Sequence, residues 1–358
     1  MDASNSTQPT QDAVGKTKVQ YGSFQDPVGL VFRMLRSRNR AAYSGLMREG
    51  LKVATAPIDF AMSMIPRRNS TSAVTPDQPI VLIVGPPRSG TTLTYQILAR
   101  YCDVTYPDNV NSLFPRSPLA ALRWLSRTRP PRTPLIRSCY GQTARFSGPN
   151  EGFYIWDRWL GSDRYQTITE ISDETAIAMN RFFAEWIAVR NKPFVNKNNR
   201  STTCIDLLAH ALPSSFFVVI QRDTRDIVRS IIRGREFVQG DKQIPWGLLS
   251  QRVHGVSDPL GYVDDVCEQV ERVQMRIQQQ VATVNERRVI IVPYGNLCKD
   301  PVGMLESIAA RIEGFTLRSE LIAAELKPFT TSRDKFLSDD EETRMDECLQ
   351  ERDAANKV

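Results

Sequence analysis

Apolar residues along this chain fall into two rhythms, short unbroken runs and longer stretches at helical spacing, and the two take turns. Ile80–Val84 is an unbroken run, which predicts a strand buried on both faces, and the residues from Thr91 to Tyr101 follow it at helical spacing. Residues 194–196 form a shorter run, followed by an expected helix over 201–212. Ser215–Gln221, SFFVVIQ, is a third run and leads into an expected helix through 224–235. Residues 264–285 have the spacing of a long amphipathic helix, 288–293 read as a further strand, and 300–312 as a helix with Pro301 at its first position. Strands alternating with helices mark a mostly parallel sheet, so the fold class expected is α/β with three α/β/α layers.

Outside this core the pattern weakens. Residues 1–21 are rich in Ser, Thr, Gln and Asp and are expected to be disordered. Residues 22–78 read as a basic helical region, with helix over 28–65 and a polar linker over 67–78. The main domain spans 79–330, and an acidic helix or tail over 331–358 is expected to face water. An insertion over 103–192, Pro-interrupted and expected to be largely helical, separates the first two strands; such insertions often carry the second substrate's site. Trp156, Trp159, Phe182, Phe183 and Trp186 within it sit at helical spacing, as core residues do.

Composition adds charge asymmetry. The 358 residues are 41% hydrophobic with a formal charge of +6, enough apolar content for a large core. From Asn109 to Asn150 there is no acid, while Arg116, Arg123, Arg127, Arg129, Arg132, Arg137 and Arg145 fall there, and a second basic stretch runs from Arg33 to Arg68. The asymmetry suggests a surface that attracts anions. The Arg116–Arg145 cluster reads as a site for an anionic acceptor, for lipid headgroups beside a lipid-linked one, or as a plain solvated surface. The basic helices over 28–68 read as packed against the core or, second, as resting peripherally on an anionic membrane face. The six cysteines form no C-x-x-C pair and read as reduced thiols, and two histidines are too few for a His-rich metal site. With no signal-like apolar start and no membrane-length run, the expected location is the cytoplasm.

The chemistry concentrates in two segments. Gly85-Pro-Pro-Arg-Ser-Gly90-Thr-Thr joins the first strand to the first core helix with the glycine spacing of a P-loop. Such a turn aims backbone N–H groups and a helix N-terminus at an anion, and Arg88, Ser89, Thr91 and Thr92 add a forked cation and hydroxyl donors. Position 91 is Thr where a nucleoside triphosphatase has Lys, and no acidic magnesium partner ends another strand, so no metal is expected. The second segment, Arg222-Asp-Thr-Arg-Asp-Ile-Val-Arg-Ser230, begins where a buried strand ends, the edge at which open parallel sheets bind ligands. Arg222 and Ser230 are the candidates there for a second phosphate; Asp223 and Asp226 are the alternative, as a metal-binding pair.

Together the two segments closely resemble the cofactor signatures of sulfotransferases that use 3′-phosphoadenosine 5′-phosphosulfate (PAPS). The resemblance covers roughly residues 79–315 and implies that the first loop holds the 5′-phosphosulfate, Arg222 and Ser230 the 3′-phosphate, and that the product is the bisphosphate PAP. Asn196-Lys197-Asn198 resembles the family's Lys-containing segment, Val292-Pro-Tyr-Gly-Asn-Leu its late strand–helix junction, with Tyr294 on the cofactor side, and Pro149-Asn-Glu151 its Pro-x-Glu segment. Arg88 and Lys197 are then the candidates for neutralising the transferring group. The cytosolic relatives' His has no counterpart, and tyrosylprotein sulfotransferases carry Glu where this chain has Asn109. Glu151 is the first candidate for the base that takes the acceptor hydroxyl's proton, and Asp108 the second. Two other readings stand beside this one: a P-loop kinase or nucleotide hydrolase, and a non-catalytic basic binder of membrane or nucleic acid. The expected acceptor is a hydroxyl compound rather than nucleic acid.

Overall fold

The computed structural model describes residues 25–65, 75–128, 133–161, 167–251, 258–330 and 336–355. Residues 1–21, most of 67–78, Arg129, Arg132 and His254, for which the sequence carries expectations, lie outside the described residues. The basic N-terminal region forms α1 (Pro27–Arg36) and α2 (Arg40–Ser63), capped by Asp26, which accepts from the Gly29 amide, and Asn39, which accepts from the Ala41 amide. The chain continues through β1 (Ile80–Val84), α3 (Thr91–Tyr101), α4 (Pro118–Thr128), a hairpin of β2 (Ser138–Cys139) and β3 (Gln142–Thr143), α5 (Phe153–Leu160) and α6 (Asp173–Ala188). It ends through β4 (Phe194–Lys197), α7 (Ile205–Ala211), β5 (Ser215–Gln221), α8 (Thr224–Gln239), α9 (Gly261–Val281), β6 (Val289–Pro293), α10 (Tyr294–Lys299), α11 (Pro301–Arg311), α12 (Ser319–Glu325) and α13 (Asp339–Ala355).

The central sheet has the order β4-β1-β5-β6, and every neighbouring pair is parallel. Side chains along a strand alternate between faces, and here both faces are apolar. Ile80, Leu82, Val84, Phe217 and Val219 join one core with Trp156, Phe183 and Trp186. Val81, Ile83, Val218 and Ile220 join the other with Tyr95, Leu98 and Leu305. Helices therefore cover both faces, the three-layer α/β/α arrangement that the unbroken apolar runs predict. The aromatic set of the insertion is core: Trp156, Phe183 and Trp186 are fully buried.

One expectation gains a detail and two need correction. The insertion carries α4, α5 and α6 and, in addition, the β2–β3 hairpin, with Tyr140 and Gly141 at its turn in the left-handed region (φ 44° and 88°). The helix expected over 201–212 starts later, at Ile205, after a 3₁₀ turn over Asn199–Thr203. The acidic C-terminal helix does not face water all round. Met345 and Cys348 of α13 pack with Ile227, Ile231, Val263 and Val266 of α8 and α9. Its charges also find partners there, with Arg344 on Asp264 at 2.6 Å, Glu342 on Arg229 at 2.7 Å and Asp346 on Arg225 at 2.7 Å.

Candidate active site

Everything that converges on the site stands at the C-terminal edge of the sheet. The loop after β1 takes a shape that its residues make possible. Gly85 has φ 153° and Gly90 has φ 106°, and a Cβ on Gly90 would lie 2.4 Å from the Tyr294 ring. Only glycine allows that backbone and that ring to meet. Arg88, at φ 70°, is a left-handed non-glycine residue, a strain of about 1–3 kcal/mol of the sort that clusters at functional sites. No described side chain caps the N-terminus of α3, so the amides of its first turn keep their capacity to meet an anion.

The second segment locks onto the first. Arg222, one residue past the end of β5, donates from Nη1 to the Arg88 carbonyl at 3.0 Å, and Arg88 Nε donates to Ser230 Oγ at 3.0 Å. Arg222 also lies 4.5 Å over the Tyr294 ring, and Arg88 lies 4.8 Å over the ring of Tyr140. Burial pushes the Arg88 guanidinium below its usual value, Tyr140 opposes the shift, and the guanidiniums of Arg222 and Arg233 add to it. A buried guanidinium with like charges close by suits an anion arriving beside it. The fit is sharpened by two atoms: Ser89 Oγ and Arg222 Nε are buried and meet no hydrogen-bond partner among the described residues. Arg222, Asp226, Tyr294 and Phe329 line an open cleft of about 710 Å³ beside the loop. Thr91 is buried and Thr92 half-buried in the first turn of α3.

On the other side of the loop stands a buried ion pair. Lys197, at the end of β4 and paired in register with Ile83, puts Nζ 2.6 Å from Glu151 Oε1. The two side chains are 6% and 15% exposed. Three consecutive residues hold the Glu151 segment. Asn196 Nδ2 donates to the Asn150 carbonyl at 3.2 Å, Lys197 takes the Glu151 carboxylate, and Asn198 Nδ2 donates to the Glu151 carbonyl at 2.9 Å. Trp156 Nε1 fixes Asn196 in turn, at 2.8 Å from its Oδ1. The Lys-containing segment is thus a clamp on the Pro-x-Glu segment, although the two are far apart in sequence.

The structure brings together Arg88, Ser89, Gly90, Thr91, Thr92, Arg222, Ser230 and Tyr294 around the loop, and Lys197 with Glu151 beside it. Asp108 stands next to the Glu151 segment, its backbone bridged to Pro149, but its side chain is otherwise engaged. Asp108 Oδ1 accepts from the Asn111 amide at 2.8 Å, and the residue lines a separate cavity of about 740 Å³ with Tyr106, Leu122, Phe146 and Arg190, a cavity that neither Glu151 nor Lys197 lines. Asn109 is structural: its Nδ2 donates to Thr143 Oγ1 at 3.0 Å and to the Arg145 carbonyl at 2.7 Å, and its Oδ1 accepts from the buried Arg48. Two residues the sequence reading missed belong to the site. Thr202 Oγ1 accepts from the Gly85 amide at 3.3 Å, and Tyr140, stacked on Phe237 at 4.5 Å, carries Arg88. The Tyr140-Gly141 turn was the one available signal for the second.

A glycine-bounded loop at a strand end, latched to a basic segment at the next strand and flanked by a buried Lys–Glu pair, defines an α/β protein with a P-loop-like strand–loop–helix turn. The chain belongs to the sulfotransferase family, whose pattern residues 79–314 match. Among solved structures it is similar to the sulfotransferase STF9 from Mycobacterium avium, at 16% identity over 77% of this chain and 69% of that one, with a TM-score of 0.46. It is also similar to the sulfotransferase STF1 from Mycobacterium tuberculosis H37Rv, at 14% identity over 90% and 86%, TM-score 0.45. A third is retinol dehydratase in complex with androsterone and inactive cofactor PAP, at 14% identity over 75% and 63%, TM-score 0.25. No curated protein matches the chain in sequence.

Proposed function

We propose that this sulfotransferase moves the sulfuryl group of PAPS to a hydroxyl acceptor, with Glu151 as the base. The observation that carries the donor is the latch between the two anion-binding segments, Arg222 on the Arg88 carbonyl and Arg88 on Ser230, with Ser89 Oγ and Arg222 Nε left buried and unpaired beside it. Two phosphate-seeking segments at adjacent strand ends suit a ligand with anionic groups at two positions, as the 5′ and 3′ phosphates of PAPS are. When bound, PAPS supplies an activated sulfuryl group on a phosphate leaving group.

The residues then divide the work. The first-turn amides of α3, with Ser89, Thr91 and Thr92, meet the 5′ side, and Arg222 and Ser230 meet the 3′ phosphate. Arg88 sits between the two and responds to charge on either. Lys197 holds positive charge next to the loop, where charge builds on oxygens during transfer; fixed charges of this sort do most of the work in reactions with little covalent chemistry for the protein. Glu151 Oε1, held at 2.6 Å by Lys197 in the resting site, receives the acceptor hydroxyl's proton once the ammonium turns to the donor. Acceptor entry belongs to the insertion side, from which Glu151 comes.

Titration calorimetry with PAP and with ATP tests the donor assignment. We expect PAP to bind tightly with magnesium chelated, and ATP to bind weakly. Losing one charged hydrogen-bond donor in Arg88→Ala or Arg222→Ala should weaken PAP by about ten- to a hundredfold. Equal affinity for ATP, or dependence on magnesium, would overturn the reading in favour of a nucleotide triphosphate enzyme.

A further inference from the structure

Helices α1 and α2 turn apolar side chains towards solvent. On α1, Val28, Val31, Phe32 and Leu35 fall at i, i+3, i+4 and i+7, one stripe, and all four are exposed, Phe32 to 67%. The opposite side of α1 meets the body of the protein, where Arg33 Nε donates to the Phe237 carbonyl at 2.7 Å. Helix α2 is divided in the same way. Its inward side carries Leu51 and Met62 against the Phe114 and Leu125 core, Thr55, which donates to the Leu113 carbonyl at 3.0 Å, and Asp59. Asp59 accepts from the Arg116 and Ser117 amides at 3.0 Å each and so caps the start of α4. On the outward side stand Val53, Pro57, Phe60 and Met64 at i, i+4, i+7 and i+11, with Val53 77% and Met64 69% exposed. Single exposed apolar residues are ordinary; two stripes on packed neighbouring helices are not.

The charges beside these stripes are mostly basic. Among the described residues Arg36, Arg38 and Arg40 are exposed and Lys52 half-buried, while Arg33 is taken up by Asp26 at 2.9 Å and Arg48 is buried; the acids are Asp26, Glu49 and Asp59. Asp59 points inward at the α4 cap, and Glu49 is held by Lys52 at 2.8 Å. Arg116 lies 5.7 Å over the Phe60 ring, and α4 exposes Trp124 between the exposed Arg123, which pairs with Glu185 at 2.8 Å, and Arg127. Apolar stripes edged by arginines and an exposed Trp are what an anionic lipid surface takes up, since acyl chains accept the stripes and headgroups the cations. A second copy of this chain would instead bring like-charged rims together. No helix among the described residues is long and apolar enough to cross a membrane, so the contact is one of lying on the surface.

We propose that the exposed stripes of α1 and α2, with the Trp124 edge of α4, form a peripheral docking surface for an anionic lipid bilayer. The proposal is independent of the sulfuryl-transfer chemistry. It places the enzyme at a surface where lipid-linked hydroxyls are concentrated.

Co-sedimentation of the full chain with vesicles of phosphatidylcholine, alone or with about a third phosphatidylglycerol, tests it. With several arginines at the surface, we expect partitioning onto the anionic vesicles at least about tenfold stronger than onto the neutral ones, weakening as salt rises. The combined variant Val53→Asp, Phe60→Asp, Met64→Asp should lose about tenfold or more of that binding, since it removes apolar insertion. The variant Arg116→Glu, Arg123→Glu, Arg127→Glu should lose the preference for anionic over neutral vesicles. Both replace exposed side chains, so unchanged melting temperatures and PAP affinity would show that fold and donor site survive. Absence of vesicle binding by the parent chain, or wild-type binding by the first variant, overturns the proposal. So does a solution dimer that the first variant dissolves, if the parent ignores vesicles; the face would then belong to a second copy.

Discussion

Two seams in this protein are held by opposite charges, and they are built in contrasting ways. Beside the loop, Lys197 and Glu151 form one pair, nearly buried, with their backbone neighbours fixed by Asn196 and Asn198. Between α13 and the α8–α9 pair, the arginines 225, 229, 344 and 352 meet acids across a half-exposed surface. A buried pair is weak evidence for stability, because desolvation offsets much of the attraction, yet breaking it by removing one partner is costly. Exposed pairs are individually worth little and are lost one at a time. The first arrangement concentrates its charge in two atoms beside the loop; the second distributes the holding of a helix.

The largest effect expected is on turnover. Glu151→Gln should lower kcat by about 10²–10⁴, the range for a positioned proton acceptor, in a radiolabelled-PAPS assay. PAP affinity should stay within about threefold of the parent, because the loop and Arg222 are untouched. A near-normal kcat would move the base role away from Glu151. Next comes stability at the same pair. Lys197→Met should cost about 3 kcal/mol in denaturant unfolding, the low end for an orphaned buried charge. Adding Glu151→Met to it should return most of that stability and none of the activity. If the double variant stays as unstable as the single one, Lys197 acts by packing rather than by its charge.

How far the sequence foretold this contrast depends on range. Ile80–Val84 and the spacing Gly85 to Gly90 are local patterns, so the strand, the loop and the helix start were legible, as were Arg222 and Ser230 at the end of another apolar run. Lys197 and Glu151 were singled out separately, but the pair itself was not visible, since it joins β4 to a segment 46 residues away. The hairpin went unread because strands of two residues are too short to show alternation. The acidic helix was read as solvated because its partners, such as Arg229, lie 113 residues distant from Glu342. A closer signal was there: Ser338 and Glu341 form a capping box, the Ser338 amide donating to Glu341 Oε2 at 2.7 Å and the Glu341 amide to Ser338 Oγ at 3.2 Å.

A smaller effect separates strain from ligand contact in the loop. Arg88 holds φ 70°, a conformation that costs Ala and Arg but not Gly. Arg88→Gly should therefore be more stable than Arg88→Ala by about 1 kcal/mol in thermal or denaturant unfolding. Both variants should lose PAP binding alike, because both lose the guanidinium. Equal stabilities would mean that the loop relaxes out of the left-handed region once Arg88 is gone.

The smallest effect lies at the distributed seam and depends on pH. Burial alone would raise the Glu341 carboxyl, but hydrogen bonds from Lys242 at 2.8 Å, from Tyr262 and from the Ser338 amide outweigh it and hold its pKa below the usual value. A folded-state pKa below that of the unfolded chain, about 4.3 for Glu, means that the stabilisation is fully present above that pH. It is lost as the pH falls through the lower folded-state value, where the native carboxylate also takes up a proton. Glu341→Gln should therefore unfold at a lower temperature than the parent at pH 7, and the gap should narrow steadily once the pH drops below about 4. A gap of constant size down to pH 3 would mean that Glu341 anchors α13 by shape and not by its charge.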